Sequence, residues 1–96
     1  MGNPVAYSAS KGGVVSLSRY LAVYLAEKNI RVNCISPHGI NNEQSEDFVR
    51  RFSTLSPMSR LSNPEETSYP IIFLLSDAST YITGSNLIVD GGWTSW

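Results

Sequence analysis

Lys28-Asn29-Ile30-Arg31-Val32-Asn33-Cys34-Ile35-Ser36-Pro37 is the stretch on which the fold turns. Asn29 suits the left-handed cap that ends a helix, and Ile30 to Ile35 is a short β-branched run that reads as a strand. Only about two residues separate the two elements, the spacing of an αβ unit in a layered α/β fold. The helix before it runs from Tyr7 to Lys28. Val14, Leu17, Leu21, Tyr24 and Leu25 form a bulky face on it; Val15, Ser18, Ala22 and Ala26 form a second face of small residues. Between Lys11 and Glu27 the only charge is Arg19, so this helix needs cover on two sides. A connection this short makes helix and strand run in opposite directions. The start of the helix, with Tyr7 and Lys11, therefore meets the loop Ser36 to Asn42 at the carboxyl edge of the strand, where open α/β sheets bind ligands.

Tyr7 and Lys11 lie four positions apart and share one helix face. A free phenol titrates near pH 10 and transfers protons poorly at neutrality, whereas a nearby ammonium favours the phenolate. A tyrosine brought toward neutrality in this way can pass a proton to or from a carbonyl or alcohol oxygen, a step worth roughly 100-fold to 10,000-fold in rate. Four-residue spacing is common on helices, so the pair acquires meaning only with its surroundings.

Those surroundings are Tyr7-Ser8-Ala9-Ser10-Lys11-Gly12-Gly13, the long apolar helix, Ile30 to Pro37, and the closing Ile88-Val89-Asp90-Gly91-Gly92. In this order they resemble the second half of a classical short-chain dehydrogenase/reductase, from about Pro4 to Trp93. The resemblance implies the C-terminal part of a Rossmann-like, doubly wound parallel sheet, with residues 1–96 as one partial domain. It implies an oxidoreductase that uses NAD or NADP to interconvert a carbonyl and an alcohol on a small molecule. Tyr7 is then the general acid or base; Lys11 lowers its pKa and bonds the nicotinamide ribose. Pro37, Gly39, Ile40 and Asn42 fall where the family lines the nicotinamide, although His38 replaces the usual glycine and Asn42 a common threonine. His38 has two readings, a substrate contact or an exposed loop residue. The family's enoyl reductases space tyrosine and lysine further apart, which points away from that branch. Family members also pair subunits through the long helix, so a homo-oligomer through residues 7–28 is expected.

The phosphate-binding glycine loop, the ribose selector and the catalytic serine of the family have no counterpart in these residues. The expectation is a C-terminal fragment of an enzyme of about 250 residues, with a two-stranded sheet whose edge is open. A rival reading is a catalytically silent fragment or a subunit-binding module.

After the loop, Asn41 or Asn42 is expected to cap a second helix with Phe48, Val49, Phe52 and Leu55 on its apolar side and solvated charge pairs on the other. By the resemblance, residues 38–61 form the substrate cover. Asn63-Pro64-Glu65-Glu66 starts a third helix, which Pro70 is expected to kink or delay. Tyr81 to Val89 reads as a turn and a last strand, with Trp93 and Trp96 left to cover the core or a neighbour. Gly12 and Gly13 fit either close approach of a ligand or plain packing.

The chain has 42% hydrophobic and 16% charged residues and a formal net charge of −1. That balance offers no electrostatic reason to expect nucleic acid or an anionic membrane. The single cysteine, Cys34, reads as a buried inert thiol rather than a nucleophile or metal ligand, and no metal site is expected. With no apolar signal stretch, a cytoplasmic setting is expected.

Overall fold

The computed structural model describes residues 4–95, with the backbone only for Pro4, Val5 and Tyr7. It comprises α1 (Pro4–Leu25), β1 (Cys34–Pro37), α2 (Glu46–Leu55), α3 (Glu65–Leu75) and β2 (Asn86–Val89). The two strands pair in parallel, Cys34 with Asn86 through Pro37 with Val89. The fold is thus α/β, with α1 before β1 and α3 on the crossover that returns the chain to the same sheet.

α1 begins at Pro4 rather than near Tyr7. Proline's fixed φ and missing N–H suit the first helical position, so Pro4 is accepted within the helix instead of postponing it. After Leu25 the helix tightens into a 3₁₀ turn, Ala26–Lys28. Asn29 closes it at φ 58°, its N–H donating to the Ala26 carbonyl at 3.0 Å.

β1 starts four residues later than the β-branched run suggests. Ile30 to Asn33 face the Ile82–Ser85 turn instead of a strand: the Val32 carbonyl accepts from Gly84 N–H at 2.7 Å, and Asn33 bonds both the Ile82 carbonyl and the Ser85 N–H. A regular ladder begins only where β2 begins. Arg31 fastens the same turn from behind, donating to Ser79 Oγ at 3.1 Å and to the Ile82 carbonyl at 3.2 Å. Ser79 itself is 1% exposed.

α2 is capped by Ser45, whose Oγ accepts from Phe48 N–H at 3.2 Å, not by Asn41 or Asn42. Asn42 N–H is tied into the loop by Gln44 and Asn41 N–H by the Ser62 carbonyl, and Glu43 sits at φ 57°, which a helix does not accept. The exposed pair on α2 is Asp47 with Arg50, three apart, rather than the four-residue pairs.

α3 starts as the sequence suggests: Glu66 Oε1 accepts from Asn63 N–H at 2.9 Å. Its start is not delayed by Pro70, and the helix runs on either side of it. The same Glu66 receives both arms of Arg60, at 2.6 and 2.9 Å. These bonds hold its carboxyl down at about 2, the Arg60 bonds first and the Asn63 N–H second.

Among the described residues, the buried apolar side chains are Ala22, Phe52, Leu61 and Leu74. Cys34 is half-buried rather than buried, and it borders a cavity between β1 and α1. Among the described residues no helix is long and apolar enough to cross a membrane.

Candidate active site

The site is assembled at the carboxyl end of β1. Tyr7 stands on α1 one turn before Lys11; the placement of its phenol lies outside the described residues. Lys11 is exposed and lines two adjoining cavities. One, of about 270 Å³, is bounded by Ser10, Val14, Val15, Cys34, Ile35 and Ser36. The other, of about 290 Å³, is bounded with Lys11 by Ser36, His38, Asn86, Ile88, Asp90, Trp93 and Thr94. The antiparallel course of α1 and β1 thus brings the helix start to the strand end, as the short connection requires.

The loop residues divide by what they do. Pro37 is the last residue of β1, half-buried and paired with Val89. Gly39 has φ +74°, and a Cβ there would stand 2.4 Å from Phe52 Cζ. Only glycine fits that position without displacing the ring. The Gly39 carbonyl accepts from Ser62 N–H at 2.8 Å, and Asn41 N–H donates to the Ser62 carbonyl at 2.8 Å. This bridge ties the loop to the connector before α3.

A nicotinamide carboxamide needs one acceptor and one donor from the loop. Among the described residues the Ile40 N–H has no acceptor and is available to it. The Ile40 carbonyl accepts from Gln44 Nε2 at 2.8 Å, and Gln44 Oε1 accepts from Asn42 N–H at 2.7 Å. Asn42 keeps its exposed side chain. The Ile40 N–H and the Asn42 side chain thus offer the loop's groups for a carboxamide, while Gln44 holds the Ile40 carbonyl and the Asn42 N–H within the loop. Gln44 was not singled out by the sequence; a glutamine two positions past an asparagine carries no signal until the loop folds.

The aromatic cluster beyond the loop was also illegible. His38 lies 5.7 Å from Phe52 and 5.1 Å from Trp93, ring centre to ring centre, tilted by 42° and 47°. Phe52 stacks on Trp93 at 4.7 Å and 8°. Trp93 is held by a 3₁₀ turn, Trp93–Ser95, whose start Asp90 organises through Gly92 N–H, Thr94 N–H and Thr94 Oγ1. Those bonds, Thr94 Oγ1 first, hold the Asp90 carboxyl below its usual range.

A family model described as enoyl-(acyl carrier protein) reductase matches residues 1–94. A solved short-chain dehydrogenase from Leptospira borgpetersenii with bound NAD+ superimposes with a TM-score of 0.85 at 44% identity, over 92% of this chain and 35% of that one. This chain belongs to the short-chain dehydrogenase/reductase family. Its relatives include an NADH-dependent L-xylulose reductase of Ambrosiozyma monospora, 39% identical over 98% of this chain and 38% of the relative. An NAD-dependent glycerol dehydrogenase of Listeria innocua is 43% identical over 94% of this chain and 37% of the relative. The chain thus spans less than two-fifths of the length of these relatives. As a short-chain dehydrogenase/reductase it presents the family's partial Rossmann-like sheet, and its Tyr7 and Lys11 stand on the first turns of the helix that approaches the carboxyl edge.

Proposed function

We propose that the complete polypeptide carrying these residues is an NAD- or NADP-dependent oxidoreductase that interconverts an alcohol and a carbonyl on a small molecule. The observation that supports it is the placement of Lys11, one helical turn after Tyr7, in the cavity at the carboxyl end of β1 with Ser36 and His38. In the oxidative direction Tyr7 Oη takes the proton of the substrate hydroxyl, and in the reductive direction it returns one to the carbonyl oxygen. The Lys11 ammonium favours the phenolate and offers donors to the cofactor ribose. Bound at this edge, the nicotinamide supplies the hydride chemistry at the substrate carbon. The Ile40 N–H and the Asn42 side chain orient the carboxamide, while Pro37 and Gly39 shape the loop beneath it. Residues 38–61 serve as the substrate cover, a reading supported by Phe52 seated on Gly39. A homo-oligomer through α1 is supported by the exposure of Val14, Leu17, Tyr20, Val23 and Tyr24.

The test is Tyr7→Phe in the complete polypeptide: turnover of secondary alcohols falls at least about 100-fold while reduced cofactor still binds by fluorescence titration. Unchanged turnover removes Tyr7 from catalysis. Lys11→Met lowers turnover and moves the optimum to higher pH, since the phenolate then forms at higher pH; an unmoved profile overturns the role of Lys11. The description of the matching family model favours a second reading, enoyl reduction. Acetoacetyl and crotonyl thioesters separate the two, and the four-residue spacing of Tyr7 and Lys11 favours the former as substrate.

A further inference from the structure

Both ends of the segment between β1 and α3 are fixed at one place. The Gly39 carbonyl accepts from Ser62 N–H, and Asn41 N–H donates to the Ser62 carbonyl, each at 2.8 Å. Just inside that bridge Leu61 is buried, and Arg60, which donates to the Leu61 carbonyl at 3.2 Å, is gripped by Glu66 of α3. Residues 42–60 therefore form a flap with a closed base. On its way back to that base the flap meets the turn after β2 three times, in antiparallel order. Phe52 stacks on Trp93, ring centres 4.7 Å apart and planes 8° apart. A Cβ at Gly92, φ +90°, would stand 3.0 Å from Pro57 Cβ, and one at Gly91, φ +61°, 3.5 Å from Met58 Cβ. Phe52 is the one buried residue of α2.

The turn on the other side of these contacts is held firmly. Val89, the residue before it, ends β2 and pairs with Pro37. Asp90 then accepts from Gly92 N–H at 2.9 Å, from Thr94 N–H at 3.0 Å and from Thr94 Oγ1 at 2.7 Å. One partner of the Phe52–Trp93 stack is thus footed on the sheet, and the other rides on a helix that reaches the interior through a single ring. Segments with few buried contacts open locally at low cost, and opening starts where one contact carries the attachment.

We propose that Trp93 is the latch of this flap and Asp90 the positioning residue that presents it. Residues 42–60 open by parting Phe52 from Trp93, with the Gly39–Ser62 bridge as the hinge. The consequence for substrate entry rests on the reading of residues 38–61 as the substrate cover.

The experiment is amide hydrogen exchange on the complete polypeptide, comparing α2 (46–55) with the paired strands 34–37 and 86–89. Trp93→Leu raises exchange in α2 at least about tenfold, while the strands keep the wild-type rate. Asp90→Asn, which keeps one acceptor oxygen, raises it by less. Phe52→Leu acts like Trp93→Leu, and the two together add little to either alone, because both remove the same contact. Should Trp93→Leu not fold, Trp93→Phe carries the same comparison with a smaller rise. Unchanged exchange in α2, an equal rise in the strands, or fully additive effects of the two substitutions overturn the latch. Saturating NADH or NADPH slows wild-type exchange in α2 when the flap covers the site. No slowing with either cofactor overturns the cover reading and leaves the latch to be judged on the variants.

Discussion

Gly39 carries both the shape of the cofactor loop and the seat of the cover helix. Its φ of +74° and the Phe52 ring 2.4 Å from where a Cβ would sit act together. Gly39→Ala adds a strained backbone to an overpacked contact, and in the complete polypeptide we expect a loss of about 2–3 kcal/mol in denaturant unfolding. Glu66 makes a different prediction. Its folded pKa, about 2, lies below the ordinary value of 4.5, so its contribution to stability is present above the unfolded value and lost as pH falls through the folded one. Wild type should therefore lose its advantage over Glu66→Gln between about pH 4.5 and 2, as read from melting temperatures across that range. Both partners are exposed, so added salt should shrink the effect. Glu66 as a reach-back cap was legible from Asn63-Pro64-Glu65-Glu66; its pairing with Arg60 was not, because a six-residue separation across a connector follows no helical rule.

Elements were legible where local chemistry decides them, and shifted where a distant partner decides. The Asn29 cap follows from one residue's tolerance of positive φ. The start of β1 does not, since Ile30 to Asn33 have strand-like side chains yet face a turn, and ladder pairing needs a second strand in register. α2 shows the same contest: three candidate caps lie within five residues, and Gln44 settles it by holding the loop out to Ser45. Ser45→Ala should cost about 1 kcal/mol of stability in chemical denaturation, while Asn41→Ala should leave the helix start unchanged. Equal losses at both positions would return the cap to the loop.

At the scale of the whole molecule, many large apolar side chains remain exposed. The chain exposes 7264 Å², whereas a compact monomer of 10.5 kDa exposes about 5,400 Å². Its radius of gyration, 15.6 Å, likewise exceeds the roughly 12.5 Å of a compact domain of this length. Val23 is 80% exposed and Leu75 79%. We expect the 96 residues expressed alone to bind a hydrophobic dye, associate with concentration in sedimentation, and melt without a sharp transition. A monomer with a cooperative calorimetric transition would contradict this. The α/β order of elements and the meeting of the helix start with the strand end were readable from the residues, because periodicity, cap chemistry and connection length act over a few positions. The stacking of His38 with Phe52 and Trp93, the capture of the Ile40 carbonyl by Gln44, and the sealing of Gly39 by Phe52 belong to the folded chain alone. They join residues up to 55 positions apart, and such contacts are set by how elements pack rather than by any local preference.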